Sequence, residues 1–314
     1  MIKYRTKLPQ LGNDIFLTDG GLETTLVFLQ GIELPFFAAF NLLKQETGKQ
    51  VLRNYFRKYL TLAQEYKTGF ILEAPTWRAN KDWGTKLGYT TASLDQINSI
   101  AIAEMEALRD EFEKFHLPIV ISGNIGPRGD GYVPSSIMTS SEAADYHSRQ
   151  IETFSKTNAD LVSAFTLNYT DEAIGIIQAA KKYQMPVVIS FTVETDGSLP
   201  SGQLLKEAIQ EADKATDNYS AYFMINCAHP HHFIHELQSR ENWVSRIKGI
   251  RANASTKSHA ELDESEHLDV GDKQELAHSY EQLKQLLPQL NVIGGCCGTD
   301  HTHLEKICTQ LFHP

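Results

Sequence analysis

The chain is poor in the residues that staple or span. Its 314 residues include only 4 cysteines, too few for a disulfide framework to carry the fold. It lacks any run of about 18 apolar residues, so no membrane span is expected. Positive charge is in deficit: 29 Lys and Arg stand against 39 Asp and Glu, a net charge of −10. Nucleic acid binding needs a basic surface, so no nucleic acid partner is expected. Met1-Ile2-Lys3-Tyr4-Arg5 carries positive charge without an apolar stretch behind it. A secretory signal is therefore not expected, and the expected location is cytoplasmic. Internal repeats and low-complexity segments are also missing. What remains is the composition of a globular protein, 41% hydrophobic and 22% charged, with length for one domain over residues 1–314.

Short apolar runs alternate with longer segments of helical spacing. The strand candidates are Ile15–Thr18, Gly69–Glu73, Ile119–Gly123, Leu161–Phe165, Val187–Phe191, Tyr222–Asn226, Ile247–Arg251 and Val292–Gly294. Helical sets lie between them, among them Phe56, Leu60 and Ala63, then Ile100, Met105 and Leu108, then Ala173, Ile176, Ile177 and Ala180. Strand–helix alternation implies a parallel sheet with right-handed crossovers. Eight such units predict a closed (β/α)8 TIM barrel, whose active sites lie at the C-terminal ends of the strands.

That rule makes the strand ends informative. The last strand runs into Gly294-Gly295-Cys296-Cys297-Gly298-Thr299, two adjacent cysteines between glycines. Adjacent cysteines rarely bridge each other, but a glycine-bounded turn can aim both thiolates at one soft metal ion. Cys227 follows the sixth strand candidate, 69 residues before Cys296, which suits two loops meeting at one barrel mouth. Three thiolates and one open position would make a catalytic zinc site; three buried unliganded cysteines are the alternative. Cys308, in an apparent terminal helix, reads as core. His229, His231, His232 and His235 crowd after Cys227 and read as rim or helix-start residues, as do His301 and His303. The acidic stretch Glu261-Leu262-Asp263-Glu264-Ser265-Glu266 reads as a solvated loop or helix start. Trp77 and Tyr132 read as core, with a cation-binding role as the alternative.

At these loops the sequence resembles the homocysteine S-methyltransferase family. The resemblance rests on Asp19-Gly20-Gly21-Leu22-Glu23-Thr24, Gly123-Asn124-Ile125-Gly126-Pro127, Ser190-Phe191, Asp196-Gly197 and Ser201-Gly202. It closes with Asn226-Cys227 and the Cys296-Cys297 turn, the two most specific segments. It implies a barrel holding one Zn2+ on Cys227, Cys296 and Cys297, with the acceptor thiol in the fourth position. It implies transfer of a methyl group from a donor to the thiol of homocysteine, giving methionine. With no appended cobalamin or folate domain, the chain looks like the short enzymes that use S-methylmethionine or S-adenosylmethionine. Its partners would be a small-molecule thiol acceptor and a methyl donor. The chemistry is physically coherent. A free thiol has little thiolate at neutral pH, and zinc removes its proton outright. Excess negative charge at the site keeps the substrate sulfur electron-rich.

The same resemblance suggests which residues meet the acceptor. In the family the Asp19–Glu23 segment helps hold the amino acid, which nominates Asp19, Gly20, Gly21 and Glu23. A tight βα turn with Asp19 as helix cap is the structural alternative. Asn226 would orient substrate or ligand, or make a structural hydrogen bond. Thr166 completes the strand-four end. There the chain departs: the family usually carries a Glu where Asp160-Leu161-Val162-Ser163-Ala164-Phe165-Thr166 places Phe165. Glu73, at the end of strand two, offers the missing negative charge. Arg251 stands in Arg251-Ala252-Asn253-Ala254-Ser255, where the family has a proline–asparagine segment. It could clamp a carboxylate or pair with Glu73. These departures keep open a different small thiol acceptor, or a non-catalytic zinc- or thiol-binding barrel.

Overall fold

Pairing of Phe16 and Leu17 decides the architecture. In the computed structural model, which describes residues 2–134, 137–239 and 241–312, they pair in parallel with Gly69 and Phe70 on one side. On the other side they pair with Val292 and Ile293. The sheet therefore closes on itself, with strands ordered β1 to β8 around the ring. The strands are β1 (Phe16–Leu17), β2 (Gly69–Glu73), β3 (Ile119–Ile125), β4 (Leu161–Leu167), β5 (Val187–Phe191), β6 (Tyr222–Asn226), β7 (Ile247–Ala252) and β8 (Val292–Gly295). This is the (β/α)8 barrel that the alternation predicts.

Three strands keep their predicted limits. β1 is shorter at both ends, because Thr18 already turns into the mouth. β3, β4, β7 and β8 run further toward the C-terminal mouth than the apolar runs suggest. The added residues include Asn124 and Thr166, which break the apolar pattern. β4 also carries a register irregularity between Ala164 and Leu167, where Thr166 takes φ 63°.

Amphipathic helices return the chain on the outside. Phe56, Leu60 and Ala63 are buried in the helix Glu46–Glu65, and Met105 and Leu108 in Thr91–Phe112. Ala173, Ile176, Ile177 and Ala180 do the same in Thr170–Lys182. Each large apolar side chain so buried contributes about 1.5–3 kcal/mol. Capping boxes fix three helix starts among the described residues: Thr90 with Ser93, Thr139 with Glu142 and Ser258 with Glu261. Between β6 and β7 the regular helix gives way to the short helix Pro230–Phe233 and two 3-10 turns. Arg246 anchors that segment, donating to Asp213 Oδ2 at 2.7 Å and to the Ser220 carbonyl at 2.7 Å.

The two-residue alternation of the strands divides the core in two. One set packs under the helices. The other fills the barrel interior: Phe16, Ile71, Val120, Leu161, Val188, Tyr222, Met224 and Val292, with Leu8 joining them. One step further toward the mouth the same inward positions turn polar: Glu73, Ser122, Ser163, Ser190, Asn226 and Arg251, all buried. The apolar plug closes one end, and the polar layer forms the floor of the other.

Candidate metal centre and active site

Cys227 follows β6 with a left-handed backbone, φ 56°. For a residue with a side chain that costs about 1–3 kcal/mol, and such strain gathers at functional positions. Its amide donates to the Arg251 carbonyl at 3.0 Å, which ties the turn to β7. Cys296 and Cys297 follow β8, where the Cys296 amide donates to the Ala252 carbonyl at 2.8 Å. Thr299 Oγ1 donates back to the Cys296 carbonyl at 2.7 Å. Gly298 then turns the chain with φ 78°. Gly21 lets the β1 loop lie against this turn: a Cβ there would sit 2.6 Å from the Cys296 carbonyl oxygen.

The three sulfurs converge. Their Sγ atoms all lie within 4.8 Å of one another, and no other cluster of cysteine, histidine or acidic side chains among the described residues is arranged to hold a metal. Four sulfurs at about 2.3 Å from a zinc ion would stand roughly 3.8 Å apart, so the triad needs little adjustment to take one ion. Side-chain amides hold it: Asn226 Nδ2 lies 3.8 Å from Cys296 Sγ, and Asn253 Nδ2 lies 3.8 Å from Cys227 Sγ. Tyr132 Oη stands 2.9 Å from Cys227 Sγ and 3.7 Å from Cys297 Sγ. Hydrogen bonding within the triad holds the Cys296 thiol well below the ordinary thiol range, helped by Arg251, and pushes Cys227 and Cys297 above it. An all-thiol set with one member already inclined to ionise suits a soft cation.

A cavity opens beside Cys296 and Cys297. Asp19, Gly20, Gly21, Glu23, Glu73, Thr166 and Asn226, all expected at the site, line it. Phe165 and Arg251 line it too. Cys227, fully buried, backs the cluster. Asp19 is engaged by protein: Arg251 Nη2 lies 2.9 Å from its Oδ1, and Tyr55 Oη donates to its Oδ2 at 3.1 Å. Arg251 Nε donates to the Gly295 carbonyl at 3.0 Å and Nη2 to the Gly20 carbonyl at 3.1 Å. The arginine thus stitches β7 to the loops after β1 and β8, and its guanidinium stands 5.0 Å from the Phe165 ring centroid. Burial pushes Glu73 up to about 7, against the pull of Arg251. Burial likewise takes Glu23 to about 7, with Asp19 adding to the rise. Asn226 is fully used: its Oδ1 accepts from the Thr166 amide at 2.8 Å and from Ser190 Oγ at 2.7 Å.

A second cavity adjoins the first and shares Glu23, Thr24, Trp77, Tyr132 and Cys297 with it. Asp130, Asp263 and Asp269 add carboxylates to its wall, and Phe28, Phe37 and His259 add rings. Cys297 therefore stands on the border between two compartments.

Comparison with known proteins bears on the family and the fold. The sequence model of the homocysteine S-methyltransferase family matches residues 16–311. This chain belongs to the homocysteine S-methyltransferase family. Two Arabidopsis thaliana relatives, homocysteine S-methyltransferase 2 and homocysteine S-methyltransferase 3, are each 25% identical, over 205 and 204 residues. Both matches cover 62% of this chain, and they span 60% and 58% of the relatives' own length. The fold matches the homocysteine methyltransferase MmuM from Escherichia coli. Its oxidized form gives TM-score 0.78 at 16% identity, covering 99% of each chain. Its metallated form gives TM-score 0.75 at 17% identity, covering 98% of this chain and 100% of that one.

Cys308 is buried in the helix His301–Phe312, a core residue. His229 caps the helix Pro230–Phe233 instead of joining the sulfurs, and burial with its histidine neighbours pushes it down to about 4. His303 Nδ1 pairs with Asp300 Oδ1 at 2.7 Å, within its own helix start. The first half of the acidic stretch, Glu261 to Asp263, ends the capped helix His259–Asp263, the rest follows it, and Leu262, Asp263 and Ser265 line the second cavity. Trp77 and Tyr132 both line the cavities, so the packing role is only part of theirs. Asp130, His259 and Asp269 carried no sequence signal of a site. No helix among the described residues is long and apolar enough to cross a membrane.

Proposed function

We propose that the chain is a zinc-dependent S-methyltransferase that moves a methyl group from S-methylmethionine or S-adenosylmethionine to the thiol of homocysteine, forming methionine. The observation that carries this reading is Cys297 on the border of two cavities, within 4.8 Å of two further thiols. Cys227, Cys296 and Cys297 would hold the ion. When bound there, the ion would supply an acidified, electron-rich acceptor thiol.

The chain's own residues supply the rest. The inner cavity, with Asp19, Gly20, Gly21, Glu73, Thr166 and Asn226 on its wall, suits a small polar acceptor. The outer cavity suits a cationic sulfonium, because Glu23, Asp130, Asp263 and Asp269 face it with Tyr132 and outnumber its one arginine, Arg78, which stacks 4.4 Å over Trp77. Carboxylates and ring faces both attract a positive charge. In the transfer the acceptor sulfur's electron pair forms a bond to the methyl carbon. The bond from that carbon to the sulfonium sulfur breaks, and its pair stays on the donor as a neutral thioether. The acceptor's thiol proton leaves to solvent before transfer. Asn226 and Asn253 keep two cysteine sulfurs in place through these steps. Bringing both reactants to one border supplies proximity, the main catalytic contribution such a site needs.

Methionine formation from homocysteine tests the reading, with the zinc-loaded protein and a panel of methyl donors. Activity with a sulfonium donor, abolished by chelation and restored by zinc, is expected. Full activity of the chelated protein would sink the mechanism.

A further inference from the structure

The inner cavity holds two buried charges of opposite sign, each with one atom that has no hydrogen-bond partner. Those atoms are Glu73 Oε2 and Arg251 Nη1. Both residues line the cavity and are only 4% and 7% exposed. Protein contacts fix the rest of each side chain. Ser163 Oγ donates to Glu73 Oε1 at 3.2 Å, and Arg251 Nε and Nη2 donate to two backbone carbonyls. The unmet atoms are therefore held in place. Buried polar atoms are nearly always satisfied, so an opposed pair of unmet ones beside a cavity calls for a ligand. Asn124 Oδ1, on the neighbouring strand β3, adds another unpartnered acceptor to the same wall. Acceptors thus stand on the β2–β3 side and a donor on β7. A ligand that meets both carries a cation at one point and an anion at another. Asp19 Oδ1 also makes no hydrogen bond, but Arg251 Nη2 stands 2.9 Å from it as an ion pair and Tyr55 donates to Oδ2, so the protein itself balances this carboxylate. Phe165 gives the carbon chain an apolar wall.

We propose that Glu73 Oε2 binds the α-ammonium, and Arg251 Nη1 the α-carboxylate, of an amino-acid thiol acceptor, so that this pair selects the acceptor. The assignment rests on the methyl-transfer reading for the ligand's thiol end, and on the two unmet atoms for its zwitterionic end.

The test uses zinc-loaded full-length protein and ligands that need no turnover. Calorimetry compares L-methionine with 4-(methylsulfanyl)butanoate, which lacks the ammonium, and with 3-(methylsulfanyl)propylamine, which lacks the carboxylate. Each deletion is expected to weaken binding by roughly 10- to 100-fold, the range for a lost charged hydrogen bond. Glu73→Gln is expected to weaken L-methionine by a similar factor and to leave 4-(methylsulfanyl)butanoate unchanged. Deleting groups from the ligand probes Arg251 without risking the fold that the arginine supports. Equal weakening of both ligands by Glu73→Gln overturns the proposal, as does unchanged affinity on loss of the carboxylate. Homocysteine turnover is followed in parallel. Turnover without these dependences discards the pair and keeps methyl transfer; the dependences without turnover keep the pair and discard methyl transfer.

Discussion

Arg251→Met removes a charge from the polar floor of the barrel and keeps most of the side-chain volume. Asp19 and Arg251 are 2% and 7% exposed, and 2.9 Å separates Oδ1 from Nη2. Removing one partner of a buried ion pair costs about 3–5 kcal/mol, because the other charge stays behind. The Gly20 and Gly295 carbonyls lose their donor as well. For a chain of this size that corresponds to a fall in Tm of about 6–10 °C, taking roughly 2 °C per kcal/mol. The loss must depend on pH with a defined sign. Burial raises Asp19 and Arg251 opposes that rise, so without the arginine the folded carboxyl titrates further above its unfolded value. Such a group stabilises the fold below its unfolded pKa, and that stability is lost as pH rises through the folded one. The deficit should therefore be large near pH 8 and small near pH 5. Adding Asp19→Asn should recover more than half of it, since an absent pair costs less than a broken one. Thermal melts of the parent and both variants at the two pH values measure this. A deficit under about 1 kcal/mol near pH 8, or one that grows on acidification, would refute the reasoning.

Glu73, pushed up to about 7 from an ordinary 4.5, stabilises the fold below the ordinary value and loses that stability as pH rises through 7. Glu73→Gln should therefore match the parent at low pH and exceed it at high pH by up to about 3 kcal/mol, measured by urea unfolding; a pH-independent difference contradicts this. Asn253→Ala removes the amide 3.8 Å from Cys227 Sγ and the acceptor for the Ser255 amide. It should weaken zinc affinity by about 10- to 100-fold in a competition assay with a chromogenic chelator, and unchanged affinity contradicts that.

Much of the barrel is legible in the sequence because its strands are short apolar runs between helices whose buried face repeats every three or four residues. Gly69–Glu73, Val187–Phe191 and Tyr222–Asn226 keep their limits for that reason. The ends at Asn124 and Thr166 are not legible, since polar residues extend the strands by hydrogen bonding to neighbours far away in the chain. The cysteine triad is legible because glycines flank two of its members and strand order brings the third beside them. Tyr132 is different. It reaches Cys227 across 95 residues from a loop without periodicity, and only the folded chain brings them together. The same holds for Asp130, Asp263 and Asp269, three scattered carboxylates that read as ordinary surface charge until they face one cavity. Phe165 and Arg251 stood out as departures from the family pattern. That the ring lies under the guanidinium, and that the guanidinium is spent on Asp19, required the geometry.

Zinc K-edge X-ray absorption on the zinc-loaded protein, with and without homocysteine, tests most directly whether the three cysteines hold the metal with a place for the acceptor. Three sulfurs at about 2.3 Å should be counted in the free protein and four with homocysteine present, while Cys297→Ser lowers both counts by one. A sulfur count that homocysteine leaves unchanged, or a protein that takes up no zinc, would contradict the account.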